Sequence, residues 1–138
     1  MAGLTFRYRT SGGAPTIQVL KAKDTETLTK GDLLNLETGE VDLGATGDAN
    51  FLGVCLDTGA RVDSTTDVTF ISDDDAVYAV TDANARLLGA TLDIAGATGA
   101  QGVATSSNKE FVVVAASTAS QETLVRFNVG KHAANKAQ

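Results

Sequence analysis

Apolar residues in this chain come in short runs, each closed by a glycine or a polar turn, and only one stretch has the pattern of a short helix. Thr16-Ile17-Gln18-Val19-Leu20 alternates, with Ile17 and Val19 on one face, which is the period of a half-buried strand. Residues 30–36 form a strand that turns at Thr38-Gly39 and returns, because glycine supplies the positive φ of a tight hairpin. Residues 51–56 and 111–116 are apolar runs short enough for buried strands, and residues 91–94 and 101–104 bracket a turn at Gly96-Ala97-Thr98-Gly99. Residues 67–71 and 76–80 flank Asp73-Asp74-Asp75 and read as a further hairpin. Residues 124–129 alternate, with Val125, Phe127 and Val129 inward and Arg126 and Asn128 outward. The stretch 82–88 is the candidate helix, with Thr81 or Asp82 as cap and Gly89 as stop. Fourteen glycines, abundant threonine and Pro15 as sole proline agree with many strands joined by turns. The expected fold is all-β, a small β-barrel or β-sandwich with an extended N-terminal arm and at most one short helix.

At 138 residues the chain makes one ordinary domain whose core needs no staples, and that core is aliphatic, since there are five Phe, two Tyr and no Trp. Residues 1–15 match no period and read as an N-terminal arm, residues 16–129 as the β domain, and residues 130–138 as a flexible tail. Charge is segregated along the chain too, on slightly different bounds, since Lys21, Lys23 and Arg126 of the basic ends fall on or beside predicted strands of the body. All seventeen acids lie between Asp24 and Glu122, where four Lys and Arg leave a net of −13, while the two ends carry seven Lys and Arg and no acid. An acidic body with basic ends suggests docking arms, with Phe6, Arg7, Tyr8 and Arg9 as the leading anchor and Lys21, Lys23 and Lys131 as secondary contacts.

Catalytic vocabulary is sparse. Cys55 lies in an apolar stretch without basic neighbours and reads as a small buried hydrophobe, and His132 falls in the tail, where nothing orients its ring. Together they cannot build a zinc site, and the contiguous Asp73-Asp74-Asp75 lacks the alternate spacing of a calcium loop, so no metal or cofactor is expected. Neither G-x-G-x-x-G before a helix nor a P-loop is present, and the Ser and Thr clusters at 105–108 and 117–120 lack a partner histidine, so no catalytic residue is assigned. The Phe6 to Arg9 segment interleaves aromatic and basic residues as single-strand binders do, yet a body at −13 repels a phosphate backbone. No run reaches membrane-spanning length, and the N-terminus lacks an export signal's apolar region, which places synthesis in cytoplasm-like solution.

Gly31, Thr38-Gly39, Phe51 and Thr58 recur as Gly89, Thr98-Gly99, Phe111 and Thr118. Either two similar strand-turn-strand units share one core, or a Gly, Ala and Thr rich chain has produced the matches by composition.

Lys30-Gly31-Asp32-Leu33-Leu34-Asn35-Leu36, Asn50-Phe51-Leu52-Gly53-Val54 and the closing Leu124-Val125-Arg126-Phe127 resemble, in order and spacing, the small capsid decoration or cement proteins of tailed bacteriophages. The resemblance spans most of residues 16–129. It implies a β-barrel or sandwich without catalytic residues that forms a homotrimer, binds the outer face of an icosahedral shell after synthesis in the host cytoplasm, and clamps neighbouring major capsid subunits. The alternative is a carbohydrate- or receptor-binding β module of a phage tail, fibre or bacterial surface protein, and a small hydrolase or lyase with an unrecognised carboxylate pair is a third.

Overall fold

The structure, a computed structural model, describes residues 3–23, 27–60, 67–105 and 107–133. Its strands in chain order are β1 (Thr5–Arg9), β2 (Ile17–Lys21), β3 (Thr27–Leu28), β4 (Leu33–Glu37), β5 (Glu40–Leu43), β6 (Phe51–Cys55), β7 (Gly59–Ala60), β8 (Asp67–Ile71), β9 (Ala76–Asp82), β10 (Thr91–Ala95), β11 (Gly102–Thr105), β12 (Phe111–Val113) and β13 (Gln121–Phe127). The all-β expectation holds, as two antiparallel sheets and a two-stranded ribbon of β3 and β7.

The five-stranded sheet runs β2-β8-β6-β4-β5 and the six-stranded sheet β1-β9-β13-β12-β10-β11. Without β1, the second order repeats the first: β9, β13, β12, β10 and β11 stand where β2, β8, β6, β4 and β5 do. The sequence echo is therefore structural. Thr38-Gly39 and the Gly96–Gly99 turn close equivalent hairpins, and Phe51 and Phe111 open equivalent strands. Their rings stack across the interface at a centroid distance of 6.4 Å.

Two cores result. One lies between the sheets and contains Leu33, Phe51, Val54, Tyr78, Phe111 and Phe127. The other, with Leu34, Val41, Leu52, Cys55, Val68 and Phe70, fills the curl of the first sheet. That curl is fastened where Ala22 bridges Val41 and Lys23 N–H donates to Val41 O at 2.8 Å. β6 serves both cores through a bulge opposite Leu34 and Asn35, which resets the alternation so that Phe51 and Val54, three residues apart, face the same core. Cys55 is fully buried, as its apolar surroundings predict.

Four expectations fail, each for a physical reason. The N-terminal arm is not an arm: β1 pairs with β9 as an edge strand of the six-stranded sheet. Its register shifts between Phe6 and Tyr8, so Arg7 and Tyr8 both face outward and the period of two that would have marked a strand is lost. Residues 1–2 of the expected arm lie outside the described residues. The hairpin across Asp73-Asp74-Asp75 does not form, because β8 and β9 belong to different sheets. The acids there turn sideways instead: Asp73 accepts Thr16 N–H at 2.7 Å, and Asp75 accepts Ser11 N–H at 3.1 Å.

The candidate helix at 82–88 does not form: Asp82 ends β9 and the residues after it are a loop. Its Asp82 and Arg86 do form an (i, i+4) ion pair, the spacing a helix would use, but the pair clamps an irregular segment. Finally, the tail is docked at its start. Phe51 N–H donates to Lys131 O at 2.9 Å and His132 is buried, while residues 134–138 lie outside the described residues. Two smaller corrections concern faces: Val129 points to solvent rather than inward, and Ile17 and Val19 are about half exposed on β2.

Candidate docking surface

The cations expected to reach outward are engaged with the body's own acids. Arg7 pairs with Glu122, Arg9 with Asp75 at 2.9 Å and Asp73 at 3.4 Å, Lys21 with Asp67 at 2.8 Å, and Lys23 with Glu37 at 3.1 Å. Exposed pairs of this kind contribute about 0–1 kcal/mol each, but together they show that the basic leading segment complements the acidic body beside it. Phe6 is half-buried, edge-on to Tyr78 at 6.3 Å, so it anchors β1 to the sheet. Tyr8, at 46% exposure, is the one aromatic of the predicted anchor left facing solvent. Lys131 contributes its backbone to the docking of the tail on β6.

The carboxyl that fastens the end of β1 is held below its ordinary range. The Ser11 hydroxyl, with the Arg9 guanidinium and the Ser11 N–H, holds the Asp75 carboxyl at about 2 despite partial desolvation. A depressed carboxylate stabilises the fold above its unfolded value of 3.8 and loses that contribution as pH falls through about 2.

Buried acids elsewhere tie loops. Asp32 accepts from Thr29 N–H at 2.8 Å, Gly99 N–H at 2.9 Å and the Thr98 hydroxyl at 2.5 Å. Asp93 accepts from Ser107 N–H at 3.1 Å and from Asn108; Ser106, in the same serine cluster, lies outside the described residues. Glu110 accepts from Gly47 N–H at 2.5 Å and Ile94 N–H at 2.8 Å. Gln101 accepts from Leu33 N–H at 2.6 Å and donates to Gly44 O at 2.7 Å. Asp32, Gln101 and Glu110 each join one half of the duplicated fold to the other.

His132 is the sharpest correction among single residues. Its Nε2–H donates to Leu52 O at 2.9 Å, and its ring stands edge-on to Phe127 at 5.1 Å. Burial pulls its pKa below the ordinary value, against the raising effects of the Leu52 and Ser72 backbone and of Asp73 and Asp74. A lowered histidine stabilises the fold fully above about 6.5 and loses that stability as pH falls through the folded value. Glu110 works in the opposite sense, because burial raises it. The readout is therefore a difference: between pH 7 and pH 5, wild type should lose more urea stability than His132→Phe does. Equal losses would show that this ring does not titrate with unfolding.

An open pocket of about 390 Å³ lies where β1 approaches the five-stranded sheet. Leu4, Phe6, Val54, Leu56 and Ile71 line it, with Lys30 beside them. The pairings Val54 with Ile71 and Ile71 with Ile17 put these three residues in one cross-strand row. Leu56 N–H donates to Thr69 O at 2.9 Å, and Thr69 pairs with Val19, which makes a second row. The apolar surface of the pocket thus runs out onto the exposed Ile17 and Val19 of the edge strand. Sequence reasoning found none of this, since the lining comes from segments separated by tens of residues; the only signal was the alternation that puts Ile17 and Val19 on one face of a half-buried strand.

Among the described residues, Leu87 and Leu88 are two adjacent exposed aliphatic groups, at 78% and 69%. Their loop is held firmly. Arg86 N–H donates to the Ser117 hydroxyl at 3.2 Å, Ser117 N–H to Arg86 O at 2.9 Å, and Gly89 N–H to Val113 O at 2.9 Å. The adjacent leucines were visible in the sequence but were absorbed into the candidate helix.

No protein-family model matches this chain, and no curated protein is detectably similar to it in sequence.

Proposed function

We propose that this chain is a structural virion protein that binds the outer surface of an assembled bacteriophage capsid as a homotrimer and clamps neighbouring major capsid subunits. The observation that carries the reading is the use of the buried acids: Asp32, Asp93 and Glu110 are spent on backbone N–H groups that fasten loops, and Asp32 and Glu110 also join the two halves of the fold. Such a molecule is built to hold its shape under load. The three segments that resemble cement proteins supply β4, β6 and β13, and they meet in one core where Phe51 and Phe127 stack at 6.0 Å.

A protein that binds the assembled lattice but not free subunits stabilises the lattice by mass action, and trimerisation multiplies weak contacts into avidity. The outward edge of β1, with Tyr8 and Arg7, is the proposed shell contact. Lys21 and Lys23, at the end of β2 in the other sheet and already paired with acids, contribute small amounts of charge at most.

Deleting residues 2–13 is a poor test, because it would uncover the edge of β9. The better one mixes purified protein with expanded shells of its cognate major capsid protein. Saturable binding is expected, weakened about tenfold by Arg7→Ser with Tyr8→Ser, since an aromatic anchor is worth more than about 1 kcal/mol. Failure of the wild type to bind would sink the reading, and unchanged binding of the folded double variant would remove β1 from it.

A further inference from the structure

We propose that residues 131–133 are a pH-sensitive latch on β6, closed while the His132 ring is neutral and released when the ring takes up a proton. The segment is fastened through backbone and ring alike. Phe51 N–H donates to Lys131 O at 2.9 Å, Phe51 and His132 form a parallel bridge, and the His132 Nε2–H donates to Leu52 O at 2.9 Å. Ala133 then packs against the core inside the first sheet. Of these fastenings only the ring can change charge in mild acid, because an unperturbed histidine titrates at about 6.5.

The fold also sets where the moving part begins. Asn128 N–H donates to Glu110 O at 3.0 Å and its side-chain amide to Lys109 O at 2.9 Å, so the chain is held up to that residue whether the latch is open or closed. Gly130 follows, at φ +80° with open space where a Cβ would stand, and gives residues 131–133 a hinge. Opening there leaves the ladders of both sheets untouched.

The surroundings of the ring make its charged form the costly one. His132 is 3% exposed, with Phe127 edge-on at 5.1 Å, and burying a charge costs far more than burying a neutral ring. The elements packed on it return little of that cost. β6 offers the Leu52 carbonyl, and its titratable residue, Cys55, belongs to the other core. The charged residues of β13 are Arg126, which bonds the Phe127 carbonyl, and Glu122, which pairs with Arg7. The turn after β8 brings the Ser72 backbone, Asp73 and Asp74, all of which favour the imidazolium. Asp73 already answers Thr16 N–H and Arg9, however, and Asp74 is exposed to water. On the segment itself Lys131 has the same sign as the imidazolium and acts on Glu110. Burial prevails, so closure is fully stabilising above about 6.5 and weakens as pH falls below it. The latch does not rest on the virion reading.

The test follows amide exchange in the full chain, as protection relative to the free-peptide rate, at pH 7.5 and pH 5. Phe51 N–H, whose acceptor is on the latch, should lose protection about tenfold at the lower pH, while Cys55 N–H, on the same strand but bonded to Asp32 O at 2.8 Å, keeps its own. His132→Phe, which retains an aromatic ring and cannot be charged, should hold Phe51 protection level over the same range. Proton NMR of the wild type should show the folded ring titrating below the ordinary histidine value. Equal losses at Phe51 and Cys55, no loss at Phe51, a His132→Phe variant that loses protection as the wild type does, or a ring that titrates at or above the ordinary value would each overturn the latch. If His132→Phe does not fold, the wild-type exchange and NMR measurements decide.

Discussion

Gly53→Ala should abolish the fold or lower its melting temperature by about 15 °C or more, the largest loss expected from any single methyl group in this protein. Gly53 sits at the β6 bulge with φ +147°, a conformation side chains rarely adopt, and a Cβ there would lie 1.6 Å from the Ile71 carbonyl oxygen and 2.8 Å from its carbon. Those atoms are backbone of the neighbouring strand and cannot rotate away. Relief requires separating β6 from β8 or removing the bulge, and removing it would reverse which core Val54 and Cys55 face. Either route costs at least about 4 kcal/mol, a large part of the 5–15 kcal/mol typical of a domain. Thermal unfolding by circular dichroism checks this directly. A drop under about 3 °C would mean that the strands are not this close.

Phe127→Ala should destabilise by about 3–5 kcal/mol, as truncation of a fully packed aromatic does. The ring is the hub of the inter-sheet core, with centroid distances of 5.5 Å to Phe111, 6.0 Å to Phe51, 6.1 Å to Tyr78 and 5.1 Å to His132. Its neighbours come from both halves of the duplicated fold and from the docked tail, so the cavity cannot collapse by moving one element. Urea unfolding should show the loss, and proton NMR should show His132 titrating nearer its ordinary value as burial is relieved. Phe6→Ala, on a half-buried edge strand, provides the comparison and should cost clearly less. Similar losses for the two would contradict the placement of Phe127 at the centre.

Local pattern was informative where it coincided with strand pairing. Runs such as Phe51–Cys55 and the hairpins at Thr38-Gly39 and Gly96–Gly99 were legible because glycine turns and apolar content act over a few residues. The duplication was legible as an echo of turns and phenylalanines, though only the shared strand order separates it from coincidence of composition. β1 was hidden by its bulge, and the helix signal at 82–88 was imitated by Asp82 and Arg86, whose pairing needs only proximity.

The candidate surfaces were less legible than the fold. The charge segregation was real, but its meaning was inverted: Arg7, Arg9, Lys21 and Lys23 first answer the acids beside them. No count along a chain tells whether a basic segment faces a partner or its own body. The sequence alone determined the all-β class, the aliphatic and phenylalanine core and most strand positions, because these depend on periodicity and turn chemistry within a few residues. Only the tertiary structure decided that β8 and β9 part into different sheets, that His132 is buried, and that a pocket on one half stands open while two leucines on the other face water. Those outcomes depend on which distant strands pair, a choice made by the summed packing of both cores rather than by any local segment.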